Sequence, residues 1–198
     1  MASTAANIHR RRSATCATYS LRRPCATDGK SVHALIAACP PLDRNSLYLN
    51  LLQCTHFAET CVLAEAAGEG APVSGFVSGY LVPQRPTTLF VWQVAIAAAA
   101  RGNGLAKRML LELLERPACR GVTHLETTIT QSNEASWALF RALARTLQAP
   151  LEERVLFDRD AHLDGVHESE VLVTIGPFHP RRPASETDTL KQSGHQTT

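Results

Sequence analysis

The stretch from Arg101 to Lys107, RGNGLAK, has the residue types and spacing that most clearly indicate a binding site in this sequence. Gly102 and Gly104 stand directly before a run of apolar residues at helical spacing, so they lie at a predicted helix N-terminus. The first N–H groups of a helix have no partner within it, and the helix dipole is positive there, so this position favours a bound phosphate. Glycine allows the phosphate to approach the backbone closely. The sequence therefore predicts a phosphate-binding turn.

Two common phosphate-binding motifs do not match this turn. A GxGxxG dinucleotide motif would need glycine at position 107, which is lysine, and no GxxxxGK[ST] spacing is present. The remaining pattern is Arg101-x-x-Gly104-x-Ala106. From these residues alone, an ordinary strand-to-helix turn stays open as the alternative.

The elements around the turn would have to position it. Residues 89–96 are bulky and apolar without polar alternation, which predicts a strand buried on both faces of a sheet. After the glycines, residues 105–114 carry apolar side chains at helical spacing until Pro117 ends the run. A second strand is predicted at residues 124–130, and Asn133 follows it shortly before another amphipathic helix.

These residues resemble a known family. Arg101-x-x-Gly104-x-Ala106 after a buried strand resembles the acetyl-CoA pyrophosphate loop of the GNAT N-acetyltransferases, whose pattern is [RQ]xxGx[GA]. Asn133 matches a second element of that family, an asparagine that leads into a helix beside the CoA arm. Longer stretches, such as FVWQVAIAAAARGNGLAKRML and RPACRGVTHLETTITQSNEASWALFRALAR, resemble the family members that acetylate diaminobutyrate in ectoine biosynthesis. This resemblance covers roughly residues 20 to 177.

The resemblance implies a GNAT fold, an α/β architecture with a mixed, mostly antiparallel sheet flanked by helices and splayed between strands 4 and 5. The element order indicated by the sequence patterns, β, α, α, β, β, β, α, β, α, β, β, agrees with an α/β fold. In this family the thioester lies in the splay, and a backbone N–H, here that of Val94, would polarise its carbonyl. Acetyl-CoA is the implied co-substrate and no metal is expected. The implied CoA-binding residues are Val94, Ala95, Ile96, Arg101, Gly102, Asn103, Gly104, Leu105, Ala106, Lys107, Asn133 and Ser136.

The implied reaction is transfer of the acetyl group to the side-chain (N4) amine of L-2,4-diaminobutyrate. An alkyl ammonium has a pKa of about 10, so a side chain or water must take its proton. Glu126 is the first candidate for this base, with Asp43 and Glu170 as alternatives. By the resemblance, the pocket for the diamino acid comprises Asp43, Trp92, Glu126, Thr127, His167 and Glu170.

The acid that protonates the leaving thiolate is not assigned by the resemblance. Many GNAT enzymes use a tyrosine on the helix after the asparagine, but Phe140 occupies the matching position here. Tyr48, water or the substrate ammonium therefore remains as the acid.

Other functions stay compatible with the motif alone. The chain could be a GNAT enzyme that acts on another small amine or on a protein N-terminus, or a CoA-binding protein without catalysis. Only the basic residues 10–12 favour a nucleic-acid partner, and none is predicted. Metal sites at residues 54–61 and 162–167 fit no common ligand spacing.

Length and composition bound the organisation of the chain. With 198 residues, 44% hydrophobic residues and a formal net charge of +2, one domain is expected. We predict disordered tails at residues 1–19 and 178–198, with the acetyltransferase domain at residues 20–177. No apolar run is long enough for a membrane helix or typical of a secretory signal, so a cytoplasmic protein is expected. The resemblance also implies a homodimer.

Overall fold

A computed structural model of the chain describes residues 18–68 and 70–181. The strands are β1 (Tyr19–Arg22), β2 (Cys61–Ala66), β3 (Val73–Val82), β4 (Arg85–Ile96), β5 (His124–Thr130), β6 (Leu151–Phe157) and β7 (Glu170–Ile175). The helices are α1 (Gly29–Ala37), α2 (Leu47–Gln53), α3 (Leu105–Glu115), α4 (Glu134–Leu147) and α5 (Arg159–His162). The predicted order of elements is confirmed, except that the loop before the last strand contains the one-turn helix α5. The predicted tails lie outside the described residues apart from positions 18, 19 and 178–181.

The seven strands form one sheet in the order β1-β2-β3-β4-β5-β7-β6. Neighbouring strands are antiparallel, except that β4 and β5 are parallel. The parallel pairing ends with Phe90 opposite Glu126. Beyond that pair, β4 continues to Ile96 and β5 to Thr130 without further pairs between them, so the sheet opens. The predicted splay between strands 4 and 5 is confirmed.

The central strand β4 is not buried on both faces, and that prediction was wrong. Its side chains alternate between buried and partly exposed from residue 89 onward, and Trp92 is 47% exposed. The register with β3 shifts between the pairs made by Val91 and Gln93. Trp92 is therefore the extra residue of a β-bulge, which bends a strand and leaves one residue unpaired.

The bulge determines which side chains of β4 share a face. Leu89 and Val91 lie in the large core cluster beneath α3 and α4, and beyond the bulge Val94 and Ile96 pack against the same cluster. Ala95 packs instead in the smaller cluster with α1. The sequence contained a signal of this bulge, because the step from Val91 to Val94 is three residues where regular alternation requires two.

Both ends of the described chain are held by specific contacts. Tyr19 already belongs to β1, which pairs with β2. At the other end, Phe178 is buried and its N–H donates to the carbonyl of Thr123 at 2.9 Å, while Arg181 pairs with Glu115 at 2.6 Å. The contacts of the domain thus extend past the predicted boundary at residue 177. Among the helices of the described residues, none has the length and apolarity needed to span a membrane.

Candidate active site

A cleft of about 600 Å³ lies on the side of the sheet where β4 and β5 separate. Its walls come from four segments: the end of β4, the glycine turn with the start of α3, the first half of α4, and the loop of residues 39–42. All of the predicted CoA-binding residues line this cleft except Ala95 and Asn103. The side chain of Ala95 is fully buried on the other side of the sheet, because the bulge places it there. The structure therefore brings together residues that are up to about a hundred positions apart in the chain, from Cys39 to Ala142.

The glycine turn presents bare backbone to the cleft. Gly102 and Gly104 have φ angles of 78° and 71°, in the left-handed region that other residues rarely adopt. A Cβ placed on either glycine would meet no atom within 4 Å, so both face open space. No side chain caps α3 at Gly104, which leaves the first N–H groups of the helix available to an anion. The Nε–H of Arg101 donates to the carbonyl of Ile96 at 3.0 Å and fixes the turn to the end of β4.

Asn133 shapes the opposite wall. Its side-chain oxygen accepts a hydrogen bond from the N–H of Ser136 at 3.1 Å and caps α4. Ala135, Ala138 and Ala142 of this helix face the cleft, and such small side chains leave room for an extended ligand arm.

Phe140 does not line the cleft. It is buried in the core cluster that α3 and α4 share. A side chain at this position is surrounded by apolar groups, so the position is unsuited to an exposed proton donor in this arrangement. Tyr48, the alternative acid, lies on α2 with 71% of its surface exposed and does not line the cleft.

Gln93, which the sequence analysis did not single out, holds a loop against the bulged part of β4. Its Nε2 donates to the carbonyl of Asp43 at 3.0 Å, and its Oε1 accepts from Nδ2 of Asn45 at 2.9 Å. Gln93 is buried, so both bonds are shielded from water. The backbone of Asp43 is thereby fixed to the side chain of Gln93, directly after Leu42, which lines the cleft. The signal for this contact was a single glutamine within an apolar strand, since a buried amide requires partners.

Glu126 lies at the vertex of the splay, where the last β4–β5 pair forms. Its carboxylate accepts two hydrogen bonds from Arg85, Nη1 to Oε1 at 2.6 Å and Nη2 to Oε2 at 2.8 Å. The Thr174 hydroxyl donates to Oε1 at 3.4 Å. The hydrogen bonds and charge of Arg85 lower the pKa of Glu126 against the opposing effect of burial. A carboxylate with a lowered pKa is a weaker base, so this pairing favours binding over proton abstraction.

Three aromatic rings lie beside this ion pair. The ring of Tyr80 is 5.3 Å from that of Phe90 and 6.3 Å from that of Trp92, centroid to centroid. Trp92 is half exposed because it is the bulged residue, which makes it available as an apolar wall. Tyr80 also interacts electrostatically with Arg85, so the rings lie near the ion pair.

The other predicted substrate residues are spread more widely. Thr127 is buried on β5 directly after Glu126. Glu170 pairs with Thr130 at the far end of β5, about 13 Å along the strand from Glu126 at the usual rise per residue. His167 is exposed in the loop before β7. In the described residues, no group of three or more His, Cys, Asp or Glu side chains is placed to hold a metal ion.

Comparisons with known sequences agree with this arrangement. The sequence model described as the Acetyltransferase (GNAT) family matches residues 28–144. The chain is 53% identical over 159 residues to the L-2,4-diaminobutyric acid acetyltransferase of Methylotuvimicrobium alcaliphilum, covering 80% of this chain and 91% of that protein. It is 49% identical over 168 residues to the protein of the same name from Bordetella parapertussis, covering 84% of this chain and 89% of that protein.

Structural comparison with solved proteins agrees with the sequence comparisons. The diaminobutyrate acetyltransferase EctA from Paenibacillus lautus, in complex with L-2,4-diaminobutyric acid and coenzyme A, superposes with a TM-score of 0.76 at 40% identity, covering 82% of this chain and 96% of that one. The crystal structure of the NatC complex bound to Gag peptide and CoA superposes with a TM-score of 0.64 at 16% identity over 81% of this chain and 98% of that one, a likeness of fold alone. The chain therefore belongs to the acetyltransferase (GNAT) family.

Proposed function

We propose that this protein transfers the acetyl group of acetyl-CoA to the N4 amine of L-2,4-diaminobutyrate, giving N4-acetyl-L-2,4-diaminobutyrate in ectoine biosynthesis. The observation that carries the proposal is the cleft at the splay, which joins an uncapped helix N-terminus at one end to the part of β4 that has no partner in β5, at Val94 and Ile96, at the other. The relatives that carry this name, and the solved relative that holds the diamino acid with coenzyme A, support the same substrates.

The chain would hold acetyl-CoA mainly through its backbone. The N–H groups at the start of α3 would bind the pyrophosphate, and the side chain of Lys107 adds positive charge on the same wall. The exposed edge of β4 beyond Phe90 has no partner in β5, so its backbone can pair with the pantetheine arm. The N–H of Val94 would then donate to the thioester carbonyl and stabilise the negative charge that develops on its oxygen.

The reaction needs two proton transfers. The amine nitrogen bonds to the carbonyl carbon, the carbon–sulfur bond breaks, the amine loses a proton and the thiolate gains one. Asp43, whose backbone is held by Gln93 directly after the cleft residue Leu42, would accept the proton directly or through water. The lowered pKa of Glu126 makes it a weaker base and so counts against Glu126 as the group that takes the proton. The exposure of Tyr48 and the burial of Phe140 support water or the substrate ammonium as the acid.

A thiol-release assay with acetyl-CoA and a panel of amines tests this function. The panel contains L-2,4-diaminobutyrate, ornithine, lysine and a peptide with a free N-terminus, and NMR of the product identifies the acetylated nitrogen. We expect the highest kcat/KM with diaminobutyrate and acetylation at N4. Turnover of the peptide with none of diaminobutyrate would contradict the proposal.

We further propose that residues 20–177 form the catalytic unit of a homodimeric cytoplasmic enzyme. The outer strand β6 pairs only with β7 in the described sheet, and its Val155 and Phe157 are 56% and 45% exposed. An edge strand with apolar side chains supports pairing with a second copy of the chain. Sedimentation equilibrium should give twice the chain mass, and Val155→Lys should lower it towards the monomer. A monomeric wild type would refute the dimer.

A further inference from the structure

Arg85 pairs with Glu126 at the vertex of the splay, although none of the predicted roles includes it. We propose that Arg85 is a specificity-determining residue that binds the α-carboxylate of the diamino acid, and that Glu126 is a positioning residue that holds the guanidinium in place. The inference rests on the proposed function and deepens it.

The burial of the two partners differs strongly. The side chain of Glu126 is 6% exposed, whereas that of Arg85 is 52% exposed. A ligand that enters from solvent therefore meets the cation before the anion. Both oxygens of Glu126 already accept hydrogen bonds, from Arg85 and Thr174, so little capacity is left there for a substrate ammonium.

The guanidinium has a second edge that can bind a carboxylate. A guanidinium carries five N–H donors in a planar fork. The bonds to Glu126 use one N–H from each of the two Nη atoms of Arg85, which is the end-on geometry. The side edge, formed by Nε–H and the outer N–H of the adjacent Nη, is geometrically separate and can bind a carboxylate through two parallel bonds. Glu126 also raises the pKa of Arg85, so the side chain stays charged.

The length of the substrate agrees with this placement. Glu126 lies opposite Phe90, and Val94 is at most about 13 Å further along β4 at the usual rise per residue. A hydrogen bond of about 3 Å, an extended diaminobutyrate of about 6 Å and a reacting contact of about 3 Å together span this length. A carboxylate bound at Arg85 would place the side-chain amine at the thioester. The α-amine, which is attached next to the carboxylate, would stay too far away, which accounts for N4 selectivity.

The test compares diaminobutyrate with 1,3-diaminopropane, the same diamine without the carboxylate. We expect wild type to prefer diaminobutyrate in kcat/KM, and Arg85→Gln to lower kcat/KM for diaminobutyrate by about ten- to a hundredfold, the value of a charge-assisted bond. The kcat/KM for 1,3-diaminopropane and the KM for acetyl-CoA should change little, so the preference is largely lost. Arg85→Lys, which keeps the charge but not the planar fork of donors, should have a kcat/KM for diaminobutyrate between those of wild type and Arg85→Gln.

Two further variants serve as controls. Arg85→Gln leaves Glu126 buried without its ion partner, so Arg85→Gln/Glu126→Gln removes both charges and should lose the same preference in a folded protein. Arg181→Gln removes another arginine–glutamate pair, with Glu115 of α3 on the opposite face of the sheet, and should leave the preference unchanged. An equal loss for both amines in the Arg85 variants, or an unchanged preference, would overturn the inference. If wild type does not acetylate diaminobutyrate at all, the proposed function fails first.

Discussion

The two ends of the proposed active site are built in different ways. The acetyl-CoA end consists of backbone N–H groups and small side chains that are nearly contiguous in sequence, from Arg101 to Lys107. The amine end depends on side chains brought together from distant positions, such as Arg85 with Glu126 and Gln93 with Asp43. A backbone site tolerates changes of side chain as long as the turn is kept, whereas a side-chain site depends on each partner. Mutations at one end should therefore change the KM for acetyl-CoA, and mutations at the other end the KM for diaminobutyrate.

The largest expected effect is that of Gly104→Val at the acetyl-CoA end. A branched side chain disfavours the left-handed φ of 71° and would project into the space for the pyrophosphate, so KM for acetyl-CoA should rise by roughly a hundredfold or more. Gly70→Val is the matched control, because Gly70 also has a φ of 71° and open space around it but lies in the β2–β3 turn. Both variants should lose about 1–2 kcal/mol of stability. The loop assignment is wrong if both raise KM for acetyl-CoA equally.

Glu126→Gln should have the next largest effect, and only at the amine end. An amide can accept fewer hydrogen bonds from Arg85 than a carboxylate, so KM for diaminobutyrate should rise about tenfold while KM for acetyl-CoA stays unchanged. The loss should be the same at each pH between 7 and 9. A loss in kcat that eases as pH rises would instead identify Glu126 as the base, because more of the amine is then already deprotonated.

The same ion pair makes a prediction about stability. The pKa of Glu126 is lower in the folded protein than the ordinary value of about 4.3 for an unfolded chain. The stabilisation is therefore fully present above that ordinary value and is lost as pH falls towards the lower folded value. The difference in the free energy of unfolding between wild type and Glu126→Gln, measured with urea, should shrink as pH falls from 6 to 3. A difference that is constant over this range would show that the charge of Glu126 does not stabilise the fold.

A smaller effect is expected from Gln93→Leu, which keeps a side chain of similar size but removes both hydrogen bonds to the 43–45 loop. KM for diaminobutyrate should rise about three- to tenfold, in line with loss of about one hydrogen bond. Asn45→Ala removes only one of the two bonds and should give a smaller rise. If Asn45→Ala has the larger effect, the loop acts through Asn45 itself and Gln93 does not position Asp43.

The smallest effect on activity is expected from Phe140→Tyr. The buried position faces neither end of the cleft, so kcat should stay within about twofold while stability falls by about 1–3 kcal/mol for an added buried hydroxyl. Thermal unfolding and steady-state assays measure both quantities. A large rise in kcat would mean that a tyrosine here reaches the thiolate.

The difference between the ends also explains what the sequence could predict. Strand, turn and helix around Gly104 follow from local periodicity and glycine chemistry. The order of elements was predicted from the same patterns, whereas the splay was predicted from the family resemblance. The partner of Glu126 is 41 residues away, and only the register between β4 and β5 brings Arg85 to it. The bulge at Trp92 had a signal in the apolar spacing, but a strand without polar alternation was interpreted as doubly buried. The assignment of His167 and Glu170 to the pocket stays a prediction.

The bulge at Trp92 also constrains how this strand can be changed or recombined. Before the bulge the odd-numbered residues of β4 face the core beneath α3 and α4, and after it the even-numbered residues do. A crossover in a chimeric protein must therefore keep the residue count between Val91 and Gln93. Deletion of a single residue there would turn Val94 and Ile96 away from the cleft and bring Gln93 and Ala95 towards it, although every remaining residue is unchanged. In this part of the chain, the number of residues matters as much as their identity.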